Sequence, residues 1–367
     1  MDTILVLQGG GSLGAYECGV YKALAPWLRK SGHALSVVAG TSIGAINAAI
    51  IAVRYGDRDQ GVMALEDFWH LVANNSLIFP PFVQSADWNA VWTTLLFGNP
   101  RLFVPTVPFW MFVPPVAWDR LTSFYDTGPL ENTLGNIFDK FGPNQTEPRL
   151  IVTAVNLDRI EPVAFDSLDT AITPRHILAS CSLPPTFPAT QLDGHRYWDG
   201  GLWSNTPLRD ALNCLQSKKT PAQPKGLSNC LVFIVDLFTR QMDNPVVLER
   251  NWDVWSLRDR VLFQDKAEYD ECSANWVSQH IQFVENLRQR IRALPAEERS
   301  KINDLEMFVE SSAATLEKQG RLQLTIRRVA RSSGSHEISR EIDFSPEKTK
   351  SLINQGYEDT LKELQRS

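Results

Sequence analysis

The chain has 367 residues, of which 43% are hydrophobic and 21% are charged, and it contains 21 glycines and 22 prolines. This composition is ordinary for a globular protein and excludes collagen-like, coiled-coil and wholly disordered chains. Lysine and arginine number 36 against 42 aspartates and glutamates, so the net charge is −6 and we expect no nucleic-acid partner.

Signals for secretion, membrane insertion and metal binding are missing from the sequence. The first residues, Met1-Asp2-Thr3-Ile4, lack the basic segment and apolar run of a signal peptide, and no stretch offers about 20 apolar residues for a membrane-spanning helix. No cysteine or histidine spacing suits zinc. We therefore expect a reduced, cytoplasmic protein that uses no metal and no organic cofactor. The five cysteines are Cys18, Cys181, Cys214, Cys230 and Cys272.

The first 54 residues alternate between short apolar runs and helical patterns. TILVLQ at 3–8 and SVVA at 36–39 are typical of buried parallel strands, whereas 15–30 and 43–54 carry apolar residues at helical spacing. This order predicts a βαβ unit and a mostly parallel sheet. Further strand candidates are LIVTAVN at 150–156 and LVFIVDL at 231–237.

The segment 78–118 differs from its surroundings because it is rich in aromatic residues and proline and poor in charge. Its prolines exclude one continuous helix. Two interpretations stay open for it. One is an insertion folded onto the core; the other is a lid or acyl-chain-facing wall that contacts a membrane surface peripherally.

After residue 243 the pattern becomes mainly polar and helical. Helices are predicted within 256–294 and 297–318 and over 346–365, and 321–329 alternates like an edge strand. We therefore divide the chain into a main domain, 1–243, and a mainly helical C-terminal extension, 244–367.

A glycine-rich turn, Gly9–Gly14, lies directly between the first strand and the first helix. Glycines there let backbone amides approach a ligand and point at negative charge. The spacing also satisfies the dinucleotide fingerprint G-x-G-x-x-G, so nucleotide binding through this turn is one hypothesis. That fingerprint expects an acidic residue about 20 positions further on. The absence of any Asp or Glu between Glu17 and Asp57 argues against it.

The second strand ends in Gly40-Thr41-Ser42-Ile43-Gly44, a G-x-S-x-G sequence followed by a helix. A strained strand-to-helix turn of this kind exposes its serine at the edge of the sheet. Both this turn and the glycine-rich turn follow strands that we expect to be adjacent and parallel, where open α/β sheets bind ligands. Ser42 is therefore the candidate nucleophile.

A nucleophilic serine needs a base, and the residues leave two candidates open. Asp199 precedes Gly200-Gly201, although an Asp-Gly pair is most often a simple turn. His195 is the rival because histidine is the residue most often paired with serine, which would give a Ser-His-Asp esterase. Spacing does not choose between them.

Three stretches together resemble the patatin-like phospholipase family. They are LQGGGSLGAY, the elbow GTSIG, and DGG within SLPPTFPATQLDGHRYWDGGLWSNTPL. The resemblance is close over 4–54 and 177–208, and the closing REIDFSPEKTKSLINQGYEDTL is similar to the tail of bacterial members.

The resemblance implies a three-layer α/β/α fold and a serine hydrolase that cleaves carboxylic esters of lipids through an acyl-enzyme. Ser42 would be the nucleophile and Asp199 the base, without histidine. The residues implied for the oxyanion hole are Gly9, Gly10, Gly11 and Ser12, and the glycines implied to support the motifs are Gly14, Gly40, Gly44, Gly200 and Gly201.

One residue departs from the family pattern. Many members carry Lys or Arg at the position of Leu13, which offers no charge for a phosphate. This departure affects the expected preference for phospholipids more than ester hydrolysis itself. A catalytically silent lipid-binding module is a third hypothesis, and the presence of both Ser42 and Asp199 argues against it.

Overall fold

The computed structural model describes residues 2–56, 60–73, 86–107, 121–139, 141, 148–216, 228–238, 257–258, 261–263, 267–318, 322–331 and 342–366. The strands in these ranges are β1 (Asp2–Leu7), β2 (Ala34–Thr41), β3 (Val104–Pro105), β4 (Tyr125–Asp126), β5 (Arg149–Asn156), β6 (Glu161–Asp166), β7 (Thr190–Leu192), β8 (His195–Asp199), β9 (Ser228–Asp236) and β10 (Leu322–Ala330). The helices are α1 (Ala15–Ser31), α2 (Ile43–Arg54), α3 (Gln60–Val72), α4 (Ala86–Phe97), α5 (Gly128–Ile137), α6 (Pro174–Ser180), α7 (Leu208–Gln216), α8 (Ala267–Arg292), α9 (Ala296–Lys301), α10 (Asn303–Lys318) and α11 (Pro346–Gln365).

One large sheet organises the described residues. Its strands follow the order β10-β9-β1-β2-β5-β8-β7, with β6 paired to β5 in addition. The strands from β10 to β5 are parallel to one another, whereas β6 and β8 run antiparallel to β5. The prediction of a mostly parallel sheet is confirmed.

Helices cover both faces of the sheet because successive strand residues point to opposite sides. On one face Leu5 and Leu7 belong to a core that includes apolar residues of α1, α2, α3 and α11. On the other face Ile4 and Val6 pack with Leu208 and other residues of α7. The predicted α/β/α layering is therefore confirmed.

The C-terminal region contributes helices, as predicted, and also completes the sheet. Strand β10 pairs with β9 at the sheet edge, so the expected edge strand is confirmed. Helix α11 crosses α1 at a very short distance: a Cβ on Gly19 would lie 1.9 Å from the carbonyl oxygen of Ile353. One on Gly356 would lie 2.1 Å from that of Tyr16. Only glycine allows the two backbones to approach in this way.

The aromatic segment 78–118 is described only over 86–107. There, Leu102 and Phe103 are buried in the main core, and the Phe103 ring lies 5.0 Å from that of Tyr125 and 5.2 Å from that of Phe187. This part folds onto the core. The most aromatic part, 108–118, lies outside the described residues, so peripheral membrane contact through it stays a prediction. Within the described ranges, no helix combines the length and the apolar character needed to cross a bilayer.

Candidate active site

The glycine-rich turn and the serine elbow lie side by side because they follow neighbouring parallel strands. Strands β1 and β2 are paired up to Leu7 and Gly40, so both turns emerge at the same edge of the sheet. A Cβ on Gly9 would lie 3.0 Å from the Cβ of Ser42 and 2.5 Å from Oδ1 of Asn205. The turn can approach the serine this closely because residue 9 has no side chain.

Ser42 occupies a strained backbone conformation between β2 and α2. Its φ of 54° and ψ of −125° lie where a residue with a side chain is rarely found. The flanking glycines make the turn possible, since a Cβ on Gly40 would lie 2.2 Å from the Gly44 carbonyl oxygen, and one on Gly44 would lie 2.5 Å from that of Leu7. The predicted elbow geometry is present.

The glycine-rich turn is a short 3-10 helix over Gly11–Gly14. The amide of Leu13 donates to the Gly10 carbonyl oxygen at 3.1 Å, and Gly11 has a φ of 56°, a value that favours glycine. Gly10 packs so closely that a Cβ would lie 2.7 Å from a methyl group of Leu237. Leu13 itself is buried in the main core.

Asp199 reaches Ser42 because β2 and β8 share one edge of β5. Strand β6 pairs with β5 along 151–156, which leaves the other edge to β2 as far as Thr153 and to β8 from Ala154 onwards. Thr41 pairs with Thr153 and Asp199 pairs with Ala154, so the residues after β2 and at the end of β8 meet. The Ser42 side chain lies close enough to the Asp199 carboxyl group to lower its pKa, against the larger effect of burial.

The Asp199 carboxylate is held by backbone contacts in a buried position. Its side chain accepts a hydrogen bond from the Gly201 amide at 2.7 Å, and its own amide donates to the Ser182 carbonyl oxygen at 3.0 Å. Gly200 has no room for a side chain, since a Cβ there would lie 2.6 Å from the Thr153 carbonyl oxygen. The residue as a whole is only 2% exposed.

Burial raises the pKa of Asp199 from 3.8 to about 7, although the hydrogen bonds from Ser42 and Gly201 stabilise the carboxylate and oppose that rise. A group with a pKa near neutrality is well suited to take and return a proton at physiological pH.

The structure does not bring His195 to Ser42. His195 is the first residue of β8 and Asp199 is the last. At about 3.3 Å per residue, His195 and Asp199 therefore lie about 13 Å apart. Its Nδ1 lies 3.3 Å from Oδ2 of Asp158, and its side chain is 40% exposed. This geometry does not support the alternative of a Ser-His-Asp arrangement through His195.

Three residues at the site were not singled out from the sequence. Ser180 Oγ accepts a hydrogen bond from the Ser42 amide at 2.9 Å, and Asn205 Nδ2 donates to the carbonyl oxygens of Gly9 and Phe263 at 2.9 and 3.1 Å. The Cys181 thiol is buried, which raises its pKa well above the usual range, and Ser42 has a smaller, opposite effect. Ser180, Cys181 and Asn205 fall within 177–208, where the family resemblance is close, but no spacing rule marks them.

The described residues hold no cluster of three or more His, Cys, Asp or Glu side chains that could bind a metal ion.

Comparison with known proteins agrees with the family resemblance of the sequence over most of the sheet. The model of the family described as patatin-like phospholipase matches residues 5–212. Lysophospholipases nte1 of Aspergillus terreus and Aspergillus oryzae are each 25% identical over 242 residues, which is 66% of this chain but only 12% of their own length. Among solved structures, VipD from Legionella pneumophila is similar with a TM-score of 0.36 and 14% identity, covering 100% of this chain and 67% of VipD. With the glycine-rich turn, the elbow and Asp199 all inside the matched range, the chain belongs to the patatin-like phospholipase family.

Proposed function

We propose that this protein is a serine acyl hydrolase that cleaves carboxylic ester bonds of lipids. The observation that carries the proposal is that the buried Asp199, at the end of β8, lies next to Ser42 at the strained elbow after β2. The family match and the lysophospholipase name of the relatives support a lipid ester as substrate.

In the proposed first step, the Ser42 oxygen attacks the ester carbonyl carbon while its proton passes to Asp199. The carbonyl oxygen becomes an oxyanion that accepts hydrogen bonds from amides of the Gly9–Ser12 stretch. Collapse of this intermediate breaks the bond to the alcohol, which leaves with the proton from Asp199, and Ser42 carries the acyl group.

In the second step, water attacks the acyl-enzyme and gives its proton to Asp199. Collapse releases the fatty acid and returns the proton to the Ser42 oxygen. The same carboxylate thus serves both halves of the reaction, which is why a pKa near neutrality suits it.

Apolar side chains border the proposed site. Leu202 and Trp203 follow Gly201 directly and are 42% and 54% exposed, and Val261 and Leu262 are also exposed next to Phe263. The Phe263 carbonyl oxygen accepts a hydrogen bond from Asn205, so this segment lies against the site. Such a border favours substrates with acyl chains, presented from a micelle or membrane surface.

The test is hydrolysis of a short-chain nitrophenyl ester by Ser42→Ala, Asp199→Asn and His195→Ala. We expect the first two variants to lose at least about 10³-fold in kcat, by analogy with removal of members of a catalytic triad. His195→Ala is the matched control and should keep its activity. An active Ser42→Ala variant would refute the proposal, and loss of activity in His195→Ala alone would replace the dyad with a triad.

A covalent probe gives an independent readout. A fluorophosphonate forms a stable adduct with an activated serine, and we expect the adduct on the peptide that contains Ser42 and its absence after Asp199→Asn. Labelling of another serine would locate the nucleophile elsewhere.

A further inference from the structure

We propose that Glu17 and Asn47 are positioning residues that hold the glycine-rich turn in register with the Ser42 elbow. The inference deepens the proposed function and rests on it. Neither side chain touches the proposed reacting atoms, so their effect would be exerted through the backbone that carries the oxyanion donors and the nucleophile.

Both residues lie on the helices that leave the two turns. Glu17 is in the first turn of α1, three residues after Gly14, and is 1% exposed. Asn47 is in α2, five residues after Ser42, and is completely buried. A contact between them therefore links the segment after the glycine-rich turn to the segment after the elbow.

Hydrogen bonds connect the Glu17 and Asn47 side chains to each other and to the glycine-rich turn. Asn47 Nδ2 donates to Glu17 Oε2 at 2.8 Å and to the Gly14 carbonyl oxygen at 3.0 Å. Asn47 Oδ1 accepts a hydrogen bond from Trp69 Nε1 at 3.1 Å, which fixes the orientation of the amide. The backbone of Gln8, at the other end of the turn, lowers the pKa of Glu17 against the larger effect of burial, so it lies near the carboxyl group. Glu17 thus lies near the residue just before Gly9 and contacts, through Asn47, the last residue of the turn.

The carboxyl group is costly at this position. Burial raises the pKa of Glu17 well above its ordinary value. Its Oε1 has no hydrogen-bond partner among the described residues, and such a buried polar atom costs stability that an apolar side chain would not. A residue chosen for core packing alone would be leucine or methionine, whereas a carboxyl oxygen is needed to accept the hydrogen bond from Asn47.

Accurate placement matters because oxyanion donors act only at hydrogen-bond distance from the developing charge. A displacement of about 1 Å between catalytic groups can reduce the rate about 10²-fold. Without the Glu17 carboxyl oxygen, Asn47 loses an acceptor, and the helices that follow the two turns lose their hydrogen-bonded link. The turn could then move relative to Ser42 without unfolding the protein.

The experiment compares Glu17→Leu, Glu17→Gln and Asn47→Ala with the nitrophenyl ester and the fluorophosphonate. Glu17→Leu should lower kcat about 10- to 100-fold with KM changed less than about threefold, and fluorophosphonate labelling should slow in parallel because its phosphoryl oxygen uses the same donors. Glu17→Gln keeps an oxygen acceptor on a side chain of the same size, so it should retain kcat within about threefold and keep the pH profile of the parent. Asn47→Ala breaks the bridge from α2 and should repeat the loss if Glu17→Leu does not fold.

Leu24→Ala is the matched control because Leu24 is a fully buried residue of the same helix. It should lower the melting temperature and leave kcat unchanged. Wild-type kcat in folded Glu17→Leu or Asn47→Ala would overturn the inference, and so would a Glu17→Gln variant as impaired as Glu17→Leu. Ser42→Ala, measured alongside, separates the two proposals. An active Ser42→Ala variant would refute the proposed function. An inactive Ser42→Ala variant together with a fully active, folded Glu17→Leu variant would refute only the positioning role.

Discussion

At the scale of single residues, the protonation of Asp199 is expected to control activity. The proposed base must be a carboxylate in the free enzyme, and its pKa is raised to about 7 by burial. We therefore predict that kcat/KM rises about tenfold per pH unit below pH 7 and levels off above it. The measurement is a pH profile of nitrophenyl ester hydrolysis, from which the background rate of the Ser42→Ala variant is subtracted at each pH. A flat profile between pH 5 and 8 would contradict it.

The same group should also set a pH dependence of stability. Below about pH 4 Asp199 is protonated in both the folded and the unfolded chain, whereas between pH 3.8 and about 7 only the folded chain keeps the proton. Unfolding then becomes progressively easier as pH rises, until the folded carboxyl group also ionises near pH 7.

Asp199→Asn removes this dependence while its amide oxygen can still accept from Gly201. We predict that the melting temperature of the variant, relative to that of the parent protein, increases from pH 4 to pH 7 and is constant above pH 7. The corresponding change in the free energy of unfolding is about 4 kcal/mol at most, at about 1.4 kcal/mol per pKa unit. A difference in melting temperature that does not change with pH would show that Asp199 ionises normally in the folded protein.

At the scale of elements, the crossing of α1 and α11 depends on two glycines. A Cβ on Gly19 would meet backbone atoms of α11 at 1.9 Å, and backbone cannot yield as a flexible side chain can. We predict that Gly19→Ala lowers the free energy of unfolding by about 1–3 kcal/mol, the range seen for overpacked cores. Denaturant unfolding is the measurement.

Gly135 in α5 provides the control for that substitution. A Cβ there would meet nothing within 4 Å, so Gly135→Ala should stabilise the protein by about 0.5–1 kcal/mol through helix propensity alone. Equal changes in the free energy of unfolding for Gly19→Ala and Gly135→Ala would mean that α1 and α11 can move apart without loss of stability.

At the scale of the whole molecule, the C-terminal residues are expected to be needed for the fold of the hydrolase part. Strand β10 covers the edge of β9, and Leu352 and Ile353 of α11 are buried in the same core as α1. We predict that removal of residues 319–367 yields aggregated or unfolded protein, as judged by circular dichroism and gel filtration, because an apolar helix face and a sheet edge become exposed.

Point substitutions distinguish this packing role from a general effect of truncation. Leu352→Asp places a charge in the core and should reproduce much of the loss, whereas Lys350→Asp changes an exposed residue of the same helix and should be tolerated. A well-folded truncated chain would instead show that residues 319–367 are not needed for the fold of the rest.

What could be predicted from the sequence is concentrated in its first 54 residues. Each element there carries its own periodicity or turn signal, so its position can be recognised locally. The order is β1, glycine-rich turn, α1, β2, elbow and α2. Helices α8, α10 and α11 were predictable for the same reason. The antiparallel strands β6 to β8 were not predicted, since they are short and interrupted by turn residues.

The sequence by itself determined the local parts of the proposed site, because glycines with unusual backbone requirements and a serine between them are recognisable without knowing their neighbours. The spacing of residues left Asp199 and His195 both open as partners of Ser42, and only the tertiary structure places Asp199 beside it, because that depends on β8 taking over the edge of β5 where β2 ends. It also decided the raised pKa values of Asp199 and Glu17, since both arise from burial by elements distant in sequence. Pairing and burial of this kind are properties of the assembled sheet, and no local pattern encodes them.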